Sequence, residues 1–135
     1  MESESTKLVK QFLLQGPYAV VGASTDPSKF GNKILRCYLQ HKKKVYPIHP
    51  KEKTIEGVSA YPRLSALPEK VERVSVVTPP AITEQIVEEA GNCGVKYIWM
   101  QPGAESPKAI QRAKELGMEV IAEGPCLLVA LGFRE

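Results

Sequence analysis

The sequence predicts a doubly wound α/β fold, in which a mainly parallel sheet of five strands carries helices on both of its faces. Short apolar segments alternate along the chain with longer segments whose apolar residues recur at helical spacing. The short segments are continuously apolar, which is typical of parallel strands buried on both faces. At 135 residues, the chain suits one domain, and we expect residues 1–135 to form it, with an N-terminal helix within residues 1–16 packed on the rest.

Turn residues mark the boundaries of the predicted elements. Gly16 and Pro17 end the first helix, and Ser106 followed by Pro107 is typical of a helix start. Pro47 lacks an amide proton, so we expect its strand to tolerate it only near a strand end or at a sheet edge. The predicted elements are, in chain order, a helix at 8–14, a strand at 18–22, a helix at 30–41, a strand at 45–48, a short helix near Ser65, a strand at 74–78, a helix at 80–91, a strand at 97–100, a helix at 106–117, a strand at 118–122 and a short apolar segment at 126–131.

Composition narrows the function classes. The chain is 43% hydrophobic and 24% charged, and its net charge of +3 is too small and too scattered to indicate nucleic-acid binding. No apolar run approaches the roughly 20 residues that cross a bilayer. The polar N-terminus lacks the apolar region of a signal peptide, and the three cysteines lack the spacing of a zinc site or a disulfide framework. We therefore expect a cytoplasmic protein that contacts no membrane, no nucleic acid and no metal.

Ligands of open parallel sheets bind beyond the carboxyl ends of the strands, where the strand order reverses. This rule selects five loops before any motif is considered. The loops begin at Gly22, His49, Thr78, Gln101 and Glu123.

The loop after the first strand has the composition of a phosphate site. Gly22 permits a sharp turn off the strand, Ser24 and Thr25 offer hydroxyl donors, and Gly31 lies near the start of the next helix. Backbone amides and the positive end of a helix dipole attract phosphate there, and Lys29 adds a cation. The alternative is that these small residues only build a strand-to-helix turn.

The second strand ends without the feature that a dinucleotide site requires. That site has three glycines in the pattern GxGxxG after the first strand and a carboxylate after the second, which binds a ribose hydroxyl. Here nine positions separate Gly22 from Gly31, and the second strand leads into His49, Pro50 and Lys51. A lysine attracts a phosphorylated ribose, which both coenzyme A (CoA) and NADP carry. The sequence therefore disfavours NAD.

Seven short motifs, in order along the chain, resemble those of the small CoA-binding domain family. This family is similar to the Rossmann-like N-terminal domain of the succinyl-CoA synthetase α subunit. The resemblance covers roughly residues 17–128, although His49 and Glu123 stand where many members carry other residues. The motifs are Gly22-Ala-Ser24, Lys29-Phe-Gly31, Val45-Tyr-Pro-Ile-His-Pro50, Tyr61-Pro-Arg-Leu-Ser-Ala-Leu-Pro68, Val77-Thr-Pro-Pro80, Trp99-Met-Gln-Pro-Gly103 and Gly124-Pro-Cys126.

The resemblance implies where CoA or an acyl-CoA would bind. It implies that the loop from Gly22 to Gly31 receives the phosphates, that Pro50 and Lys51 lie near the adenosine, and that residues 78–80 pack against the nucleotide or the pantetheine arm. The candidate cofactor-binding residues are Gly22, Ala23, Ser24, Lys29, Phe30, Gly31, His49, Pro50, Lys51, Thr78, Pro79, Pro80, Gln101 and Cys126.

No set of residues in the sequence forms an evident catalytic group. His41 is predicted at a helix end as a surface capping residue, and His49 has no serine or cysteine nucleophile in its sequence context. Glu105 and Glu123 fall in loops near the site, where solvated carboxylates are the simpler interpretation. We therefore predict no catalytic residue.

Cys126 lies beside a predicted binding loop and has two interpretations. A thiol near a helix N-terminus and within reach of bound CoA would form a mixed disulfide with CoA by exchange with CoA disulfide, which releases one CoA thiol. Alternatively, Cys126 is a small buried residue that packs under the fifth strand. Cys37 and Cys93 are expected to be structural.

The sequence thus predicts a stand-alone CoA-binding module that binds CoA or an acyl-CoA, with a protein partner or a second copy as further binding candidates. One alternative is an NADP-dependent oxidoreductase, although the chain ends soon after the fifth strand and leaves little room for a substrate region. The other is a non-catalytic nucleotide-binding subunit of an acyl-CoA ligase complex.

Overall fold

The computed structural model describes residues 3–135. Its helices and strands follow the order that the sequence predicts. The described elements are, in chain order, α1 (Glu4–Leu13), β1 (Tyr18–Val21), α2 (Phe30–Gln40), β2 (Val45–Ile48), β3 (Thr54–Ile55), β4 (Val58–Ser59), a 3-10 turn (Leu64–Ala66), β5 (Arg73–Val76), α3 (Pro80–Asn92), β6 (Tyr97–Met100), α4 (Pro107–Glu115), β7 (Glu119–Ile121) and a π-helical turn (Leu128–Gly132).

Five strands form one parallel sheet in the order β2-β1-β5-β6-β7. The four residues of β1 are all buried, as are the last three residues of β5 and of β6. This burial on both faces explains why the strands are continuously apolar. The predicted five-stranded parallel α/β fold is confirmed.

Two apolar cores fill the space between the sheet and its helices. On one face, Val21 and Met100 pack with residues of α3 and α4, including Val87 and Ala113. On the other face, the core contains residues of α1 and α2 together with the fully buried Trp99. Helices therefore cover both faces, as in other doubly wound sheets.

Strand β2 is an edge strand of the five-stranded sheet, which is one of the two settings in which we expect Pro47 to be tolerated. Pro47 lies opposite Val20 of β1, and on the other side of β2 a single bridge joins Ile48 to Tyr61 among the described residues. On its outer side, the carbonyl of Pro47 accepts a hydrogen bond from the amide of Tyr61 at 3.0 Å. A proline fits here because its missing amide proton is not needed by a second neighbouring strand.

The structure differs from the predicted elements in three places. Helix α1 begins at Glu4, four residues earlier than the apolar spacing indicates, because the Ser3 hydroxyl caps it by accepting from the amide of Thr6 at 3.1 Å. The segment predicted as turn-rich contains the antiparallel hairpin of β3 and β4. The apolar segment near the C-terminus folds as the π-helical turn. Of the predicted N-terminal segment, residues 1 and 2 lie outside the described residues.

Within residues 3–135, no helix combines the length and the apolar character needed to cross a membrane.

Candidate functional site

The strand order places the candidate site between β1 and β5. The chain moves from β1 outward to β2 and then returns to the other side of β1, where β5 lies. This reversal opens a crevice beyond the carboxyl ends of β1 and β5. The loops that begin at Gly22 and Thr78 flank that crevice.

Two glycines bring three backbone segments into close contact there. Gly22 has a φ of +95°, and a Cβ at this position would lie 2.3 Å from the carbonyl oxygen of Val77. A Cβ at Gly31, in the first turn of α2, would lie 2.0 Å from the carbonyl oxygen of Gly22. Only glycine fits at such distances. The start of α2 is therefore held directly against the end of β1.

The N-terminus of α2 is left open by its capping residue. Lys29 is the N-cap, and its side chain makes no capping hydrogen bond. Its carbonyl accepts from the amides of Asn32 and Lys33, each at 3.1 Å. Within residues 3–135, the amides of Phe30 and Gly31 donate to no acceptor. Unpaired amides at the positive end of a helix favour an anion, and here Phe30 is partly exposed whereas Gly31 is buried.

Asn32 organises this loop, and the sequence analysis does not select it. Its side chain is fully buried. Its Nδ2 donates to the Ser24 carbonyl at 2.8 Å and to Glu56 Oε2 at 2.9 Å, while its Oδ1 accepts from Arg36 Nε at 2.6 Å. Arg36 also donates to the carbonyl of Pro27 at 2.9 Å. One buried amide thus connects the loop, the helix and the β3–β4 hairpin.

The middle of the loop is a turn built around Asp26. The Asp26 carboxylate accepts from the hydroxyl of Ser28 at 2.7 Å and from its amide at 2.9 Å. These hydrogen bonds, the hydroxyl first, lower the pKa of Asp26. The Ser24 hydroxyl in turn accepts from the amide of Asp26 at 3.0 Å. In this structure, the Ser24 hydroxyl oxygen therefore accepts a hydrogen bond within the turn and stabilises the turn.

The loop after β2 is an exposed turn that His49 organises. The Nδ1 atom of His49 accepts from the amides of Lys51 and Glu52, each at 3.0 Å, and its own amide donates to the Tyr61 carbonyl at 2.9 Å. The side chains of Pro50 and Lys51 are exposed. This geometry gives His49 a structural role and leaves the Lys51 ammonium in solvent beside the crevice.

The loop after β5 leads directly into α3. Pro79 is the N-cap of this helix and Pro80 is its first residue. The hydroxyls of Thr78 and the fully buried Thr83 lie 2.8 Å apart, which fixes the entry into the helix. The exposed prolines offer a rigid apolar surface on the side of the crevice opposite Gly22.

Gln101 follows β6, where its buried side chain and that of Trp99 hold the segment after β7, which contains Cys126. Gln101 is fully buried; its Oε1 accepts from the amide of Leu127 at 2.9 Å, and its Nε2 has no hydrogen-bond partner among residues 3–135. Trp99 Nε1 donates to the Pro125 carbonyl at 3.0 Å. Cys126 is partly exposed between these two anchored residues, and β7 lies about 14 Å from β1 at normal strand spacing.

The buried Cys37 lies on α2 close to the same segment. Its Sγ is 3.9 Å from the Leu127 carbonyl oxygen. Burial, and to a lesser extent the neighbouring Cys126 thiol, raises the pKa of Cys37 to about 11. Cys37 is therefore a protonated, unreactive thiol at neutral pH.

The structure thus brings together the predicted residues of the first and third loops, with the His49 turn beside them on β2. Gln101 is buried, and Cys126 lies in the segment after β7, which packs against α2 near Cys37.

Arg36 and Glu56 contribute to the site as well. The spacing of four residues between Asn32 and Arg36 on a predicted helix is a weak sequence signal for their contact. No sequence pattern indicates Glu56, which lies 24 positions from Asn32.

A separate cavity of about 360 Å³ lies between α1, α4 and β7. Lys114 is the one cation among its lining residues, against Glu4, Glu119 and Glu123. This lining does not suit a polyanionic ligand. Within residues 3–135, no group of three or more His, Cys, Asp or Glu side chains is arranged to hold a metal ion.

Among curated proteins, the chain is similar to part of several ADP-forming acetate–CoA ligases. The chain is 29% identical over 114 residues to the α subunit of ADP-forming acetate–CoA ligase II from Pyrococcus furiosus, covering 76% of this chain and 25% of that subunit. It is 35% identical over 78 residues to ADP-forming acetate–CoA ligase I from Archaeoglobus fulgidus, covering 58% of this chain and 11% of the ligase. The chain therefore spans a quarter or less of the length of these relatives.

Solved structures share the fold over most of the chain. A hypothetical protein from Pyrococcus horikoshii OT3 superposes with a TM-score of 0.87 at 28% identity and 96% coverage of both chains. The apo form of the dinucleotide forming acetyl-coenzyme A synthetase 1 from Ca. Korarchaeum cryptofilum superposes with a TM-score of 0.68 at 35% identity. That match covers 76% of this chain and 25% of the synthetase.

The family follows from these matches and agrees with the order of motifs along the chain. The profile that describes the CoA binding domain matches residues 17–132, which contain all seven strands and every candidate binding residue. The chain belongs to the CoA-binding domain family.

Proposed function

We propose that this protein binds CoA or an acyl-CoA in the crevice between the loops after β1 and β5. The observation that carries the proposal is the contact of Gly31 with Gly22, which presents the open N-terminus of α2 at the crevice in a chain of the CoA-binding family. Backbone amides at a helix N-terminus are a general solution for binding phosphate.

The row of loops matches the order of groups along CoA. CoA is a linear molecule that runs from a phosphorylated ribose through a pyrophosphate to the pantetheine arm and its thiol. The loops follow β2, β1, β5, β6 and β7 in that spatial order. Four strand spacings of about 4.8 Å give a row of about 19 Å. An extended CoA suits a row of that shape.

The proposal assigns each candidate residue to one part of the ligand. Lys51, with His49 and Pro50, would bind the adenosine end, where its ammonium is free to pair with the ribose phosphate. The loop after β1 would bind the pyrophosphate through Gly22, Ala23, Ser24, Lys29, Phe30 and Gly31. The arm would pack against Thr78, Pro79 and Pro80, and its thiol would approach Cys126, whose segment the buried Gln101 holds in place. We assign no residue a catalytic role.

A thermal-shift titration with CoA, acetyl-CoA, NADP and NAD tests this proposal. A ligand at 100 times its dissociation constant stabilises a fold by about 2.7 kcal/mol, which moves the melting temperature of a chain of this size by several degrees. We expect CoA and acetyl-CoA to raise the melting temperature and NAD to leave it unchanged. A shift with NADP alone would favour a reductase, and no shift with any ligand would contradict CoA binding.

We propose as a second candidate that the protein acts as the CoA-binding part of an acyl-CoA ligase assembly. The similarity to the α subunit of an acetate–CoA ligase favours it. In that case, the protein should co-purify from its native cells with a chain that carries an ATP-dependent ligase domain. Recovery of the protein without such a chain, under conditions in which CoA still binds, would favour the stand-alone role.

A further inference from the structure

The β3–β4 hairpin contacts the proposed phosphate site through one side chain, Glu56. Its carboxylate oxygen Oε2 accepts a hydrogen bond from Asn32 Nδ2 at 2.9 Å, across 24 positions of sequence. Asn32 is the third residue of α2 and follows Gly31 directly. A carboxylate from a separate element thus lies at the open end of the helix where the proposed function places a phosphate.

The hairpin turn does not explain why a glutamate stands at this position. Glu56 and Gly57 form a two-residue turn between the paired Ile55 and Val58, with φ angles of +52° and +79°. Such turns favour asparagine, aspartate or glycine at the first position, because other side chains are disfavoured at positive φ. The longer glutamate reaches Asn32, so its carboxylate contact is what this residue adds to the hairpin.

The hydrogen bond between Glu56 and Asn32 joins an exposed residue to a firmly held one. Asn32 is fully buried and held by Ser24 and Arg36, whereas Glu56 is exposed and belongs to a hairpin of two residues per strand. The hydrogen bond itself is part-buried, but Glu56 reaches it from an exposed turn, so water can solvate the carboxylate when the contact opens. Asn32 can therefore stay in place while Glu56 leaves.

A phosphate that binds beside the Glu56 carboxylate is repelled electrostatically, because both groups are negatively charged. The positive end of the α2 dipole and the Asn32 amide favour a negative group, and in this structure Glu56 supplies it. An incoming phosphate would bind the amides of Phe30 and Gly31, which begin the same helix, and would be repelled by the Glu56 charge. The Glu56 carboxylate therefore already holds one donor beside the proposed phosphate site, Asn32 Nδ2, before any ligand arrives.

We propose that Glu56 is an internal competitor for the anionic part of the ligand, and that the β3–β4 hairpin moves it away when the pyrophosphate of CoA binds. This inference rests on the proposed function and adds a residue that lowers the affinity of the site. It also makes the hairpin a movable flap beside the phosphate-binding loop.

Calorimetric titration of Glu56→Gln with CoA tests the charge. The glutamine keeps an oxygen that accepts from Asn32 but removes the repulsion, so we expect CoA to bind about fivefold more tightly than to the unsubstituted protein at low salt. The gain should shrink as salt screens the charges. Glu119→Gln, at the amino end of β7, makes the same change in net charge and should leave the affinity unchanged. Pantetheine, which lacks phosphate, should not distinguish the variants.

Hydrogen exchange without ligand tests the contact itself. Glu56→Ala removes both the charge and the acceptor, so the amides of the hairpin, including that of Ala60, which donates to the Lys53 carbonyl at 2.8 Å, should exchange faster than in Glu56→Gln. Equal amide exchange rates in the two variants would contradict the proposal that the Glu56–Asn32 contact holds the hairpin as a movable flap.

The outcomes separate this inference from the proposed function. Suppose that CoA binds the unsubstituted protein and binds Glu56→Gln equally or more weakly. The proposal that Glu56 competes with the ligand is then wrong, and the proposed CoA site is unaffected. A weaker Glu56→Gln would instead make the carboxylate a ligand contact, such as an acceptor for a ribose hydroxyl. If CoA binds none of the proteins, the proposed function fails and this inference fails with it.

Discussion

The loops after β1 and β2 lie side by side at the crevice but are held in different ways. The first is fixed by buried contacts, which are the backbone approach at Gly22 and Gly31 and the hydrogen bonds of Asn32. The second is an exposed turn in which the His49 ring accepts two backbone amides and the Lys51 side chain extends into solvent. We therefore expect changes in the first loop to affect both stability and ligand binding, and changes at Lys51 to affect ligand binding alone.

The largest expected effect is that of Gly31→Ala. Its methyl group would lie 2.0 Å from the Gly22 carbonyl oxygen, which belongs to the rigid backbone, so the start of α2 must move. We expect a loss of at least about 2 kcal/mol in the free energy of unfolding, together with loss of CoA binding. Urea denaturation and a CoA titration measure the two effects.

Gly91→Ala is the matched control for that substitution. Gly91 is also helical, but its added methyl group would meet the flexible end of Leu116 at 2.9 Å, which can turn away. Alanine also favours the helix by up to about 1 kcal/mol, so we expect little net change. Equal losses in the two variants would contradict the importance of the close approach.

A smaller effect is expected for Asn32→Ala. It leaves the Ser24 carbonyl and the Arg36 side chain without their partner in a buried setting. We expect the free energy of unfolding to fall by about 1–3 kcal/mol, measured by thermal denaturation. Asn92→Ala, at an exposed position at the end of α3, should change it by less than about 0.5 kcal/mol. If both variants unfold alike, the Asn32 network does not hold the loop.

Lys51→Ala should change binding without changing stability. The exposed ammonium is worth about 0.2–1 kcal/mol toward a phosphate, so we expect CoA to bind up to about fivefold more weakly. Dephospho-CoA, which lacks the ribose phosphate, should bind both proteins alike in a calorimetric titration. Equal weakening for both ligands would place Lys51 away from the ribose phosphate.

Cys126 extends the comparison to the segment after β7, and its substitution should affect neither stability nor CoA affinity. If the CoA thiol reaches it, its thiolate attacks CoA disulfide, forms a mixed disulfide and releases one CoA thiol. We expect intact mass spectrometry to show one CoA adduct on the native protein and on Cys93→Ser. Cys126→Ser should show none, because burial raises the pKa of Cys37 and keeps it protonated. An adduct that survives Cys126→Ser would contradict this placement.

The sequence predicts the fold well because strand burial and turn residues are local signals. Pro47 lies in an edge strand, one of the two settings expected to tolerate it, Ser106 caps α4 by accepting from the amide of Ala109, and Trp99 lies in the core as expected. The start of α1 was missed because a cap at Ser3 extends the helix beyond its apolar face. The β3–β4 hairpin was missed because its two-residue strands are too short for a periodic pattern.

The candidate site is predicted less completely than the fold. Glycine spacing indicates that the loop after β1 approaches a ligand, and the residues that would touch a phosphate follow from it. The Asn32 network depends instead on contacts between residues that lie far apart in sequence, as Glu56 and Asn32 do. Such a contact has no periodicity or motif, so only the folded structure shows it.

Amide chemical-shift mapping during a titration with CoA tests the central claim most directly. The account predicts the largest changes in residues 22–31 and at Thr78, with smaller changes around Lys51 and none in the cavity between α1, α4 and β7. Changes centred on that cavity, with the loop after β1 unaffected, would contradict the proposed site.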